Sequence, residues 1–157
     1  MMRWRMTDWF KCSLLLAAFM LPGIGCSSGT PIITIEDQEA KLSPVIVGSG
    51  SVFMKIVNSG SGSDSLVKAK IDIPGAVLEL HDLQDGKMTT VDRIPIPSKT
   101  TVLLRPASYH IMIFRMPKEI KEGSGFIATL SFEKQGEIKV PLQFTGSATK
   151  QKRGRYQ

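Results

Sequence analysis

The chain has 157 residues, 42% of them hydrophobic, which is enough for one domain with a packed core once a leader is set aside. Lys and Arg number 20 against 14 Asp and Glu, for a net charge of +6, but the surplus sits at the two ends: Arg3, Arg5 and Lys11 near the start, and Lys150, Lys152, Arg153 and Arg155 in the last eight residues. The stretch between mixes both signs and carries no basic stripe interleaved with aromatics, so a nucleic-acid partner is not expected.

Residues 1–25 read as a signal peptide. The three cations form its positive start, and Ser13-Leu14-Leu15-Leu16-Ala17-Ala18-Phe19-Met20-Leu21 forms an apolar run. That run falls short of the about 20 residues needed to span a bilayer. It breaks at Pro22-Gly23 and reaches Gly25-Cys26-Ser27-Ser28. A cysteine behind a small residue there resembles a bacterial lipoprotein cleavage site, at which Cys26 would become a lipidated N-terminus; Gly23 stands where such sites usually carry leucine. Cys12 leaves with the leader, so no thiol remains for a disulfide, a zinc site or a nucleophile. Residues 26–31, rich in Ser, Gly and Thr, read as a tether.

From about residue 32 to residue 145 the pattern is that of strands, short apolar or alternating runs punctuated by Gly, Pro, Asn and Ser. Ile32-Ile33-Thr34-Ile35 opens it. Ser51 to Val57 alternates and stops at the loop Asn58-Ser59-Gly60-Ser61-Gly62-Ser63. Leu66 to Ile73 alternates, with Val67, Ala69, Ile71 and Ile73 on one face. Val77 to His81 is a strand followed by the turn Gln84-Asp85-Gly86. Thr100 to Leu104 and Tyr109 to Phe114 follow, and Phe126 to Glu133 with Glu137 to Phe144 make a hairpin around Lys134-Gln135-Gly136. Helical periodicity is nowhere sustained over three turns. Such a series predicts an all-β domain, an antiparallel sandwich or barrel. Residues 146–157 read as a basic, solvated tail.

The chemistry gathers in one central window. His81 and His110 are the two histidines of the chain. Met88 follows the Gly-containing turn after His81, which lets the chain fold it back toward that ring. Met112 stands two residues beyond His110, and in a strand residues i and i+2 share a face. Ile111 and Ile113 then point into the core, leaving one nitrogen and one sulfur on the outer surface. Met54 and Met116 are expected to be core filler. Two imidazoles and two thioethers can make a four-coordinate site suited to Cu(I), a soft closed-shell ion. A blue-copper centre needs a thiolate, which the mature chain lacks. Zinc remains a minor option through Asp82 or Asp85.

These residues resemble the periplasmic copper chaperone family PCu(A)C. The resemblance rests on Glu79-Leu80-His81, on Asp85-Gly86-Lys87-Met88, on the 21 residues Thr89 to Tyr109 between Met88 and His110, on Ile94-Pro95-Ile96-Pro97, and on Arg105-Pro106-Ala107-Ser108-Tyr109-His110-Ile111-Met112. It extends to Lys121-Glu122-Gly123 and to Leu130 through Gly136, and covers roughly residues 32 to 144. There are departures: Asp82 replaces a methionine directly after the first histidine, the interval from His81 to Met88 is shortened to six residues, and Ala107-Ser108 replaces Gly-Gly.

The resemblance implies a cupredoxin-like, Greek-key β-sandwich. It also implies a chaperone that binds Cu(I) outside the cytoplasm through His81, Met88, His110 and Met112. Delivery would be to an acceptor such as the copper subunit of cytochrome c oxidase. A lipid on Cys26 would hold the protein at a membrane on the periplasmic side of the cell envelope. The competing expectation is a cupredoxin-like or immunoglobulin-like interaction module with a degenerate, metal-free site. An enzyme is not expected, since there is no nucleophile-elbow motif, no phosphate-cradling Gly loop, and only two histidines to act as bases.

Overall fold

Alternation decides most of the architecture. Along Gly125–Phe132, Phe126, Ala128, Leu130 and Phe132 point inward, and Val140, Leu142 and Phe144 do so along the strand that pairs with it. The computed structural model describes residues 29–147. It contains ten strands and no helix among them: β1 (Ile33–Leu42), β2 (Gly50–Asn58), β3 (Asp64–Ile71), β4 (Val77–Gln84), β5 (Lys87–Thr90), β6 (Ile94–Ile96), β7 (Thr100–Leu104), β8 (His110–Phe114), β9 (Gly125–Phe132) and β10 (Gly136–Ser147). The leader, Cys26 and residues 148–157 lie outside the described residues.

The strands run in the order β5-β4-β8-β2-β1-β10-β9-β3-β6, with β7 also on β2, beside β8. The sheet curls into two layers, and β10 is the strand that turns the corner. From Gly136 to Gln143 it pairs antiparallel with β9. At its far end Phe144 and Ser147 pair parallel with Ala40 and Leu42 of β1, the one parallel ladder in an otherwise antiparallel set among the described residues. Val52, Met54, Ile56, Leu104, Ile111 and Ile113 from one layer close on Leu66, Leu130, Phe132 and Val140 from the other. Met54 and Met116 are buried in this core, as expected of filler. The fold is the cupredoxin-like β-sandwich anticipated from the sequence.

The structure adds detail that alternation does not carry. β1 continues through the polar stretch Glu36–Leu42, past a bulge between Glu36 and Glu39 where Asp37 takes a positive φ of 49°. A second bulge, between Leu66 and Lys68, shifts the facing pattern of β3, so Leu66 rather than Val67 is fully buried. β4 runs on to Gln84, and short strands form at Lys87–Thr90 and at the proline-containing Ile94–Ile96. The last residues before β1 are held in place: the Thr30 carbonyl accepts the Gly62 amide (3.2 Å), and the Ile32 amide donates to Asn58 Oδ1 (3.2 Å).

Candidate metal centre

The outer face of the first layer carries the histidines. In the antiparallel β4–β8 ladder His81 lies opposite His110 and Glu79 opposite Met112. On the other side of β8, Ser51 of β2 lies opposite Met112. Directly paired residues share a face, so Glu79, His81, His110, Met112 and Ser51 form one patch. Leu80, Ile111 and Val52, one step along each strand, point into the core instead. The expected orientation of the His110-Ile111-Met112 unit is therefore the one seen.

Facing away from the core has not left these groups in water. His81 is 9% exposed, His110 2% and Met112 8%. Phe53 is buried beside them without joining the main core. Its ring centroid is 6.4 Å from that of His110, and Phe114 lies 6.0 Å from His81. The two imidazoles are 5.7 Å apart, centroid to centroid. A small aromatic wall thus shields a pair of rings and a thioether on a rigid sheet.

The hydrogen bonds define what the rings can offer. His110 Nδ1 lies 2.7 Å from the Ser108 carbonyl oxygen. A carbonyl can only accept, so Nδ1 carries the proton and Nε2 keeps its lone pair. Burial holds the His110 pKa below the ordinary histidine value; the Ser108 bond opposes this, nearby His81 adds to it, and Asp82 opposes it. The neutral form, which metal binding needs, is favoured. His81 Nε2 lies 3.2 Å from Glu79 Oε2 and 3.4 Å from Thr90 Oγ1. His81 Nδ1 and His110 Nε2 are the two buried side-chain nitrogens or oxygens without a partner among the described residues. Leaving a buried polar atom unpaired costs about 1–3 kcal/mol, and two on facing rings is the pattern a metal ion would relieve. Met112 Sδ accepts a hydrogen bond from Ser51 Oγ at 3.1 Å, which fixes the thioether in place.

Met88 is placed differently. The β4–β5 hairpin does fold it back, but it pairs with Leu83, while Thr90 is the residue opposite His81. Met88 shares the outer face with His81 yet stands two pairs nearer the hairpin tip, 60% exposed. The structure brings His81, His110 and Met112 together and leaves Met88 at their margin. Among the described residues no three His, Cys, Asp or Glu side chains gather into a metal-binding group. Glu79, Ser51 and Ser108 were not singled out by sequence reasoning. The same i, i+2 rule that joins His110 to Met112 joins Glu79 to His81; Ser51 has no such signal, because its place depends on the β2–β8 register.

Residues 33–144 match the profile of the LpqE-like family, which is described by likeness to the lipoprotein LpqE. No curated protein matches the chain significantly. Among solved structures, an apo PCuAC domain from PmoF1 superposes with a TM-score of 0.64 at 23% identity, over 73% of this chain and 93% of that one. A copper-bound PCuAC domain from PmoF2 gives 0.60 at 23% identity, over 73% and 92%. The Cu(I) form of DR1885 from Deinococcus radiodurans gives 0.58 at 20% identity, over 73% and 79%. The fold of this chain is that of PCuAC domains.

Proposed function

The chain belongs to the LpqE-like family, and from that premise we propose that it is an extracytoplasmic copper chaperone that binds Cu(I) through His81, Met88, His110 and Met112. The observation that carries the reading is the pair of unpartnered, buried imidazole nitrogens, His81 Nδ1 and His110 Nε2, on rings 5.7 Å apart. The copper-bound and Cu(I)-bound structures that share the fold support it.

The chemistry follows from the donor set. Imidazole and thioether are soft or borderline donors, and without thiolate they favour Cu(I) over harder ions. His81, His110 and Met112, held by the sheet and shielded by Phe53 and Phe114, supply the fixed part of the site. Met88, exposed on a hairpin, supplies a neutral ligand that an incoming acceptor can displace. Cargo held by three anchored donors and one replaceable donor can leave by ligand exchange without the domain opening. The copper subunit of cytochrome c oxidase, or another copper acceptor of the envelope, is the proposed destination. Nothing in this chemistry calls for a turnover step on an organic substrate.

The exposure of Met88 favours one second reading, a PCuAC-type fold that no longer carries copper and serves as an envelope interaction module. An anaerobic Cu(I) competition titration against a chromophoric chelator separates the two. The chaperone reading expects one equivalent bound, with binding lost in the His81→Ala/His110→Ala variant. Failure of the wild-type protein to compete would leave the metal-free reading standing.

A further inference from the structure

The copper reading leaves open which nitrogen His81 turns to the ion. We propose that Glu79 is a positioning residue that fixes the His81 tautomer, so that His81 presents Nδ1 while His110 presents Nε2. The inference rests on the copper reading and deepens it.

Two polar groups meet the His81 ring at Nε2. Glu79 Oε2 lies 3.2 Å from Nε2, and Thr90 Oγ1 lies 3.4 Å from the same nitrogen. A hydroxyl can donate or accept, so Thr90 does not choose a tautomer; a carboxylate has only lone pairs to offer, so Glu79 does. Its bond requires the proton on Nε2. The lone pair is then on Nδ1, the His81 atom that is buried and has no partner. The two rings arrive at complementary states by separate means. His110 donates its Nδ1–H to the Ser108 carbonyl and keeps the lone pair on Nε2; His81 donates its Nε2–H to Glu79 and keeps the lone pair on Nδ1.

An imidazole that binds metal through one nitrogen commonly donates its other N–H to a carboxylate or carbonyl, which orients the ring and strengthens the donor. Here both arrangements occur side by side. Glu79 is well placed by the strand itself: it shares the outer face of β4 with His81, two residues away, and lies directly opposite Met112. It stands between a nitrogen donor and a sulfur donor, and its carboxylate brings a negative charge against a donor set that is otherwise neutral. Its side chain is 42% exposed, so removing it does not open the core.

The test uses 15N-labelled, metal-free protein in long-range proton–nitrogen correlation spectra, which assign each imidazole tautomer, together with the Cu(I) competition titration. The expected wild-type spectrum shows His81 protonated at Nε2 and bare at Nδ1. Glu79→Ala is expected to give a mixed His81 population and a Cu(I) affinity lower by about 10- to 100-fold, the usual cost of losing such a supporting group. Glu79→Gln keeps an acceptor oxygen and is expected to retain the tautomer with a smaller loss. A wild-type His81 protonated at Nδ1 overturns the inference, as does a Glu79→Ala variant with unchanged tautomer or unchanged affinity. Wild-type protein that takes up no Cu(I) instead overturns the copper reading on which the inference stands.

Discussion

Met112 and Met88 carry the same thioether in opposite surroundings, and at the scale of single residues that contrast makes the sharpest prediction. Met112 is 8% exposed, with its sulfur held by Ser51. Met88 is 60% exposed on a strand whose four residues all face water. Truncating a buried methionine costs about 2–5 kcal/mol in a full core; at this rim position the low end applies. Met112→Ala is therefore expected to lose about 2 kcal/mol of folding stability as well as Cu(I) affinity. Met88→Ala should stay within about 0.5 kcal/mol of wild type in stability, as exposed sites do, and lose affinity alone. Urea unfolding of the metal-free protein beside a Cu(I) titration separates the two effects, and a stability loss larger at Met88 than at Met112 contradicts the placement. The sequence predicted that His110 and Met112 leave the core side of β8, because period two is a property of one strand. It could not predict their burial on the outer face, which depends on Phe53 and Phe114 reaching across from their own positions.

At the scale of elements the β4–β5 hairpin governs the fourth donor. Its two-residue turn has positive φ at both central positions, 51° at Asp85 and 74° at Gly86, as a type I′ turn demands. The Asp-Gly pair fits that turn and sets the register in which Met88 meets Leu83. A Cβ built on Gly86 meets nothing within 4 Å, so Gly86→Ala carries only the backbone cost of the left-handed region, about 1–2 kcal/mol, partly offset by a stiffer unfolded chain. The variant is expected to lose about 1 kcal/mol by urea unfolding, with faster amide exchange confined to β4 and β5 and a weaker Cu(I) site. Loss of stability without local fraying would mean that the turn does not position Met88. The turn itself was legible, since Asp-Gly between apolar runs is a local signal. The bulges at Glu36–Glu39 and Leu66–Lys68 were not, because they are set by the partner strand, and this is why Val67 was expected where Leu66 is buried. Ala107, at φ 60° in the turn before His110, shows the same limit: a left-handed backbone carried by a residue that does not announce it.

At the scale of the whole molecule β2 runs from the candidate metal site to the end of the domain where the described chain begins. Ser51 touches Met112 near its start, and Asn58 at its end holds the segment that leads back toward Cys26. Seven residues of strand place the two about 23 Å apart. No helix among the described residues is long and apolar enough to cross a membrane; the expectation from the sequence is attachment through a lipid on Cys26. The resemblance that suggested copper came from the intervals between histidines and methionines, whereas the lipid came from the positive start, the apolar run and the Gly25-Cys26-Ser27 context behind it; the two readings rest on different residues and can fail separately. Cys26→Ser is therefore expected to move the protein from the membrane fraction to the soluble fraction while leaving Cu(I) affinity unchanged, since Cys26 is not among the proposed donors. Acyl chains hold a protein by roughly 0.8 kcal/mol per buried CH₂. Continued sedimentation with membranes would show that attachment runs through the uncleaved apolar run instead, and a coupled fall in affinity would show that the tether reaches the site.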